Sequence, residues 1–371
     1  MIAALKRSVE RFLGRGEAAI TVPPMDGPLK PNRLLEEAEV VATFDAPEDL
    51  VSDGESLWVA DGPRLLRGTP SGTWSKQRTF ARPITAIAYV GNAGVLAIIG
   101  GDEIAAATSQ TWIEGRRQVR GRPLYGITAI SGCRDGSILA TEGSRAHGAT
   151  EWVRDLMLLG CSGRVLRLTP DGKGDTELAT GLRYAFGALE CNGTVWASET
   201  WAHRIVAIDR TQRKVAVAAV LDRLPAYPSR LAHAADGGVW LTMFAARTRL
   251  VEFVLREPEY RKRMLAEVDP RHWVAPAVSS GRSFLEPLQG GGVKQLGILK
   301  PWAPPRSYGL VIRLNNRGQP VYSLHSRADG QHHGVTAVAE ARDSLYILSK
   351  GSGRLLRLRL EQLEILRTES A

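Results

Sequence analysis

One short phrase, repeated six times, limits what this chain can fold into. Each copy is an apolar run of about five residues, several ending on a polar or acidic side chain, placed just after a tight turn. The runs are Leu57-Trp58-Val59-Ala60-Asp61, Val95-Leu96-Ala97-Ile98-Ile99, Ile138-Leu139-Ala140-Thr141-Glu142, Val195-Trp196-Ala197-Ser198-Glu199, Val239-Trp240-Leu241-Thr242-Met243 and Leu345-Tyr346-Ile347-Leu348-Ser349. The turns before them are Asp53-Gly54, Asn92-Ala93-Gly94, Asp135-Gly136, Asn192-Gly193, Asp236-Gly237-Gly238 and Asp343-Ser344. A strand–turn–strand unit recurring at this interval buries its faces only against copies of itself, which closes the copies into a ring. The predicted fold is all-β, a six-bladed β-propeller, and the place to look for chemistry is the channel at its centre.

Composition removes several alternatives. With 44% hydrophobic residues, the 371-residue chain can bury a large core. It contains no apolar run long enough to cross a bilayer. Met1–Arg15 has charges scattered through it and does not read as a secretory leader. Cys133, Cys161 and Cys191 are odd in number and widely spaced. They match neither a disulfide framework nor a zinc site, and a cytoplasmic, reducing location is expected. The formal net charge of +9 comes from dispersed basic residues. Without an aromatic-interleaved basic patch, nucleic acid is not an expected partner.

Residues 1–38 read as an arm. Ile2, Leu5, Val9, Phe12 and Leu13 recur at helical spacing, with Lys6, Arg7, Arg11 and Arg15 mostly opposite. Such a helix docks on the protein's own surface or makes a peripheral contact with an anionic membrane. The prolines of Thr21–Asn32 dictate an extended segment. From residue 39 to 371 the pattern is β. Blades are expected at about Glu39–Thr69, Trp74–Thr108, Trp112–Thr169, Asp175–Asp209, Lys214–Val254 and Gly309–Leu360. Two insertions break the rhythm. Gly143–Cys161 holds a short helix around Trp152–Met157, and the insertion of about 256–308 opens with a helix at Glu257–Leu265 and continues into the loop Gly290-Gly291-Gly292 to Pro304-Pro305.

Several segments together resemble the strictosidine synthase-like family. They are Gly163-Arg164-Val165-Leu166 followed by Gly181-Leu182, and Ser198-Glu199-Thr200 with Arg204-Ile205. Leu224-Pro225-Ala226-Tyr227-Pro228 leads into Asp236-Gly237-Gly238-Val239-Trp240 in the same manner. The arm Met25-Asp26-Gly27-Pro28-Leu29-Lys30-Pro31-Asn32 and the phrase Ala46-Pro47-Glu48-Asp49 fit as well, so the resemblance runs from about residue 25 onward. It implies a six-bladed propeller related to gluconolactonases, regucalcin and paraoxonases, with an active site in the channel. Relatives of that kind include calcium-dependent lactonases and esterases, and one branch performs a Pictet–Spengler condensation.

The channel positions depart from the pattern that the resemblance implies. Its calcium ligands are a glutamate, two asparagines and an aspartate. Glu48 matches the glutamate, but the other positions fall at Thr128, at Phe186, and near His332-His333. Ser229-Arg230 stands in blade five where the pattern often has Asp-Asn. A phenylalanine cannot ligate calcium, and an arginine would repel it. No metal and no other cofactor is expected. The glutamate of the Pictet–Spengler branch falls near Thr336, which cannot act as a general acid or base, so that activity is not expected.

The candidate catalytic residues are therefore Glu48, His333 and His332, with Arg230, Thr128, Phe186 and Thr336 as candidate substrate-binding residues. A carboxylate beside an arginine stays ionised, and a histidine nearby can activate water. That set fits ester or lactone hydrolysis without metal, acting on a small organic molecule. The same Glu48–Arg230 pair also reads as a structural plug. A non-catalytic propeller, serving as a binding or scaffold protein at a membrane or in a biosynthetic pathway, remains the alternative. His147 and His203 fall in loops and are expected to face solvent. Trp58, Trp196 and Trp240 are expected between blades, and Glu142 and Glu199 are expected to bond backbone or arginine at blade edges.

Overall fold

Each of the six repeated phrases becomes the second strand of a blade. In the computed structural model, which describes residues 22–69, 72–91, 94–107, 114–209, 217–280, 286 and 306–369, these strands each pair antiparallel with an inner strand on one side and a third strand on the other. The inner strands are Pro47–Ser52, Ile84–Tyr89, Ile127–Gly132, Ala185–Cys191, Ala226–His233 and Val335–Ala341. Among the described residues, five blades have four strands and the second has three. The expected N-terminal helix at Met1–Arg15 and the loop from Gly290 to Pro305 lie outside the described residues. Among the described residues no helix is long and apolar enough to cross a membrane.

The turns before these strands need a left-handed residue. Gly54, Gly94, Gly136, Gly193 and Gly237 all have φ between 71° and 95°, a region open to glycine without a steric penalty. The acidic ends of the second strands are also explained. Asp61, Glu142 and Glu199 each accept the backbone N–H of the residue just before the inner strand (Ala46 N, 2.7 Å) or two before it (Tyr125 N, 3.1 Å, and Arg183 N, 2.9 Å). Each also pairs with the arginine opposite it at the start of the third strand, Arg64, Arg164 (the second residue there) and Arg204 respectively. The repeated Asp/Glu–Arg couple thus locks the loop that leads into the channel.

Six apolar clusters fill the six interfaces between neighbouring blades. Trp58 and Leu65 of blade one meet Ile84 and Ile87 of blade two, for example, and Tyr346 and Leu348 of blade six meet Leu57 and Val59 of blade one. Trp58, Trp196 and Trp240 all lie in such clusters, as expected. Burying one large apolar side chain contributes about 1.5–3 kcal/mol, so these interfaces dominate the ring's stability. A seventh cluster lies above the ring. It joins Trp152–Met157 to Arg249–Val254 and Pro258–Glu267, the helices of the two insertions, through Trp201, Tyr227, Phe244 and Trp273.

The ring closes differently from the expected blade division. Glu39–Thr43 does not open blade one. It pairs antiparallel with Arg354–Arg359, Glu39 opposite Arg357 and Thr43 opposite Arg354, and so forms the outer edge of blade six. Likewise Gly309–Leu314 and Pro320–Ser326 complete blade five, after the long insertion, and blade six starts at Val335. Trp74–Thr79, Thr176–Leu182 and Val217–Leu221 likewise close blades one, three and four rather than open the next ones, because the repeated phrase marks the second strand of a blade and not the end of its sheet. The arm then crosses the blade five edge, where Asn32 Nδ2 donates to Ser323 O (2.7 Å) and Ser323 Oγ donates to Pro28 O (2.8 Å).

Candidate functional site at the channel centre

All six inner strands slip register at the same level. The ladders skip Glu48, Thr85, Thr128, Phe186-Gly187, Ser229-Arg230 and Thr336. A bulge frees a residue from the ladder and re-aims it, and six at one height build a ring around the channel axis. Five of the seven sequence-derived candidates belong to this ring: Glu48, Arg230, Thr128, Phe186 and Thr336.

Arg230 occupies the middle of it. Its guanidinium donates from Nη1 to Glu48 O (3.1 Å) and Thr336 O (3.5 Å), and from Nη2 to Thr85 O (2.9 Å) and Thr128 O (2.7 Å). One side chain therefore ties blade five to blades six, one, two and three. Phe186 of blade four adds its ring face, 5.3 Å from Cζ. Gly187 is required by this approach, because a Cβ there would stand 2.8 Å from Arg230 Cα. Nε lies 3.3 Å from Asp49 Oδ1 but makes no hydrogen bond, so that contact is ionic.

The threonines do structural work at the ring. Thr128 Oγ1 donates to Ala185 O of the next blade (2.9 Å), Thr85 Oγ1 to Ile127 O (3.1 Å) and Thr336 Oγ1 to Glu48 O (3.3 Å). Asp49 does the same with a carboxylate, accepting Ile87 N (2.9 Å) from blade two and Leu50 N (2.9 Å) from its own strand. Burial pushes its pKa up to about 6, against the opposing pull of the Arg230 guanidinium and these N–H donors.

Glu48 faces the other way, toward the N-terminal ends of the inner strands. Oε1 is 3.7 Å from Arg230 Nη2, and Oε2 pairs closely with Lys350 Nζ. The Glu48 and Lys350 side chains keep 24% and 33% of their surface accessible, so solvent reaches the pair. Above them lies a cavity of about 30 Å³, walled by Tyr184, Phe186 and Phe244 and roofed by Trp152 and Val278 of the two insertions. Trp152 packs edge-on against Phe244 at 5.1 Å. On the opposite side of Arg230 the channel widens into a chamber of about 380 Å³.

His332 and His333 do not join this ring. They sit in the turn before the inner strand of blade six, both buried, and neither lines either cavity. His333 is engaged at both nitrogens, Nδ1 with Ser307 Oγ (2.7 Å) and Nε2 with Arg327 O (2.7 Å), and burial pulls its pKa down. The residue of that segment at ring height is Thr336. His203 is also buried rather than facing solvent. Its Nε2 is 3.3 Å from Glu252 Oε1, and Arg247 grips the same carboxylate through two bonds of 3.1 Å. The ring members missing from the sequence reading are Asp49, Thr85 and Lys350. Thr85 could have been found from the ring's own period, one position per inner strand, whereas Asp49 stands one residue beyond that position. Lys350 follows the second strand of blade six and carried no local signal.

The residues at the ring do not fit the calcium site that the family resemblance implies. The carboxylates there are Glu48 and Asp49, Asp49 already accepts two backbone N–H groups, and a guanidinium stands at the centre. Among the described residues no three His, Cys, Asp or Glu side chains cluster as metal ligands would.

No protein-family model matches the sequence, and no curated protein matches it either. Solved structures do resemble it. A gluconolactonase from Xanthomonas campestris is 14% identical, with a TM-score of 0.55 over 88% of this chain and 90% of that one. Regucalcin from Agrobacterium tumefaciens, a calcium-binding protein, is 10% identical, with a TM-score of 0.54 over 86% and 92%. A luciferin-regenerating enzyme is 11% identical, with a TM-score of 0.51 over 85% and 91%. At these identities the likeness is one of fold, the six-bladed propeller of the gluconolactonase and regucalcin type.

Proposed function

We propose that this chain is a strictosidine synthase-like propeller that binds a small organic molecule at the mouth of its channel and hydrolyses an ester or lactone there without a metal. The observation that carries this reading is the Glu48–Lys350 pair. It is the charged couple at the ring that solvent reaches, and it sits above a guanidinium already engaged with four inner strands.

The chemistry follows from the two groups. Glu48 accepts a proton from a water, whose oxygen attacks the acyl carbon. The Lys350 ammonium faces the oxyanion that forms. Collapse breaks the bond to the alkoxy oxygen, which leaves with the proton returned by Glu48. The cavity of about 30 Å³ has room for that water and little more. The acyl end therefore approaches the pair from outside, with Trp152, Phe186 and Phe244 against its apolar part. The fold likeness to gluconolactonases is consistent with this activity and does not by itself assign it.

A second reading has its own support. Arg230 spends both terminal nitrogens on backbone carbonyls, and the mouth is narrow, as a non-catalytic binding propeller would tolerate. A panel of lactones and aryl esters, assayed with chelator and with added calcium, separates the two. Hydrolysis should persist in chelator, fall by roughly 10²-fold or more in Glu48→Gln, and survive His333→Ala. Turnover indifferent to Glu48→Gln, or none on any substrate, would replace the hydrolase with the binding protein.

A further inference from the structure

Arg230 and Asp49 partition the channel, and the larger compartment lies on the side away from Glu48. We propose that this chamber, at the C-terminal ends of the inner strands, is a second binding site. Its ligand would be a neutral aromatic molecule of about two fused rings carrying one hydroxyl or amide. The site is independent of what happens at the mouth.

The volume comes first. At about 380 Å³ the chamber falls within the range of small-molecule sites, whereas the mouth holds about 30 Å³. The sequence creates this space. Ala88, Ala129, Ala188, Ala232 and Ala339 line it, together with Gly132, at heights where a longer side chain would fill it. Repeating small residues on nearly every inner strand leave an apolar wall that none of the described residues fills.

The polar side chains are few: Asp49 and Arg230 at the floor, Ser52 and Ser131 on the wall, and His233 and Glu340 toward the rim. Each inner strand is the end strand of its sheet, so one backbone edge is left without a ladder partner and faces the channel. The floor is the Asp49–Arg230 pair, both buried and held by the ring. The two charges offset each other, so the floor favours a neutral ligand over an ion. At the open end, Glu340 is immobilised by Trp240 Nε1 and by Ala235 N (2.8 Å). Tyr89 stands exposed at the same rim, a flat aromatic surface beside the opening. Apolar walls with a few placed acceptors describe a pocket for an aromatic donor-bearing molecule.

The test uses 2-naphthol with the full chain, read by its fluorescence anisotropy. The wild type should show saturable binding with one site per chain. Ala232→Phe should weaken it at least tenfold while the unfolding midpoint stays near that of the wild type. Val51→Trp, which fills the same space from blade one, should do likewise, and it takes over if Ala232→Phe unfolds. Lys350→Met should leave binding unchanged. No saturable binding would overturn the proposal. So would binding that both filled variants retain, or that Lys350→Met abolishes, since the probe would then sit at the mouth. Loss of esterase activity in Glu48→Gln bears only on the mouth, so the two readings fail separately.

Discussion

The two ends of the channel are built from the same six strands and could hardly differ more. At the N-terminal end, insertions from blades three and five bring Trp152 and Val278 over the ring, and the opening shrinks around Glu48 and Lys350. At the C-terminal end none of the described residues forms an insertion over the channel, the strands carry alanine and glycine, and a chamber remains. One residue, Arg230, sits between them and bonds to blades on every side except its own neighbour blade four, which supplies the Phe186 ring instead. The contrast teaches that a symmetric scaffold makes its two faces distinct with very few changes. Loop length sets one face, side-chain volume sets the other, and a single cation keeps them apart.

Removing the partition should have the largest effect. Arg230→Met leaves Asp49 as a buried charge without its partner and frees four inner-strand carbonyls. A loss of about 3–5 kcal/mol is expected in urea unfolding. A loss under about 1 kcal/mol would mean that the guanidinium fills space rather than joining blades.

Next comes the support of the roofed face. Glu252 accepts from Arg247 and faces His203 beneath the aromatic cluster. Burial raises its pKa, but these bonds and charges prevail and bring it down to about 2. A depressed carboxylate contributes stability above its unfolded pKa and loses it as pH falls toward the folded value. Glu252→Gln should therefore cost about 3 kcal/mol at pH 7. The gap between variant and wild type should close as pH drops from about 4.5 to 2. A gap that did not change with pH would remove the ionic account.

The chamber floor should respond to acid with the opposite sign and less strongly. The folded-state pKa of Asp49, about 6, is above its ordinary value of 3.8, so its charged form opposes folding. That cost is full above about pH 6 and is relieved as pH falls toward 3.8. Wild type should gain about 1 kcal/mol from this group between pH 7 and pH 5, and Asp49→Asn should lack that gain. Equal pH profiles for the two proteins would show that Asp49 is ionised without penalty.

What the sequence disclosed was whatever is local. The phrase ending in Asp61 or Glu199 is a strand with its turn before it and its arginine soon after it, and the phrase ending in Glu142 differs only in that the insertion Gly143–Cys161 separates it from Arg164. Five ring residues were readable too, because an inner strand directly precedes each phrase. What remained hidden was set by distance along the chain. Glu39–Thr43 finds its partner at Arg354–Arg359, and nothing near residue 39 records that pairing. His332 and His333 lie just before the inner strand and short of the ring, since the ring height on that strand is fixed by the slip at Thr336 rather than by polarity. Asp49 reads as an ordinary polar residue beside Glu48, and its burial follows only from Ile87 on another blade.

Closure by the strand at Glu39–Thr43 has a further consequence. The first and last strands of the propeller share one sheet, so no blade can come loose from an end without breaking both termini away from each other. In a linear array of repeats, fraying starts at a free end and spreads one unit at a time. This ring has no free end. Its unfolding should be cooperative across all six blades, and a chain starting after Thr43 should lose that cooperativity while keeping every residue of the channel.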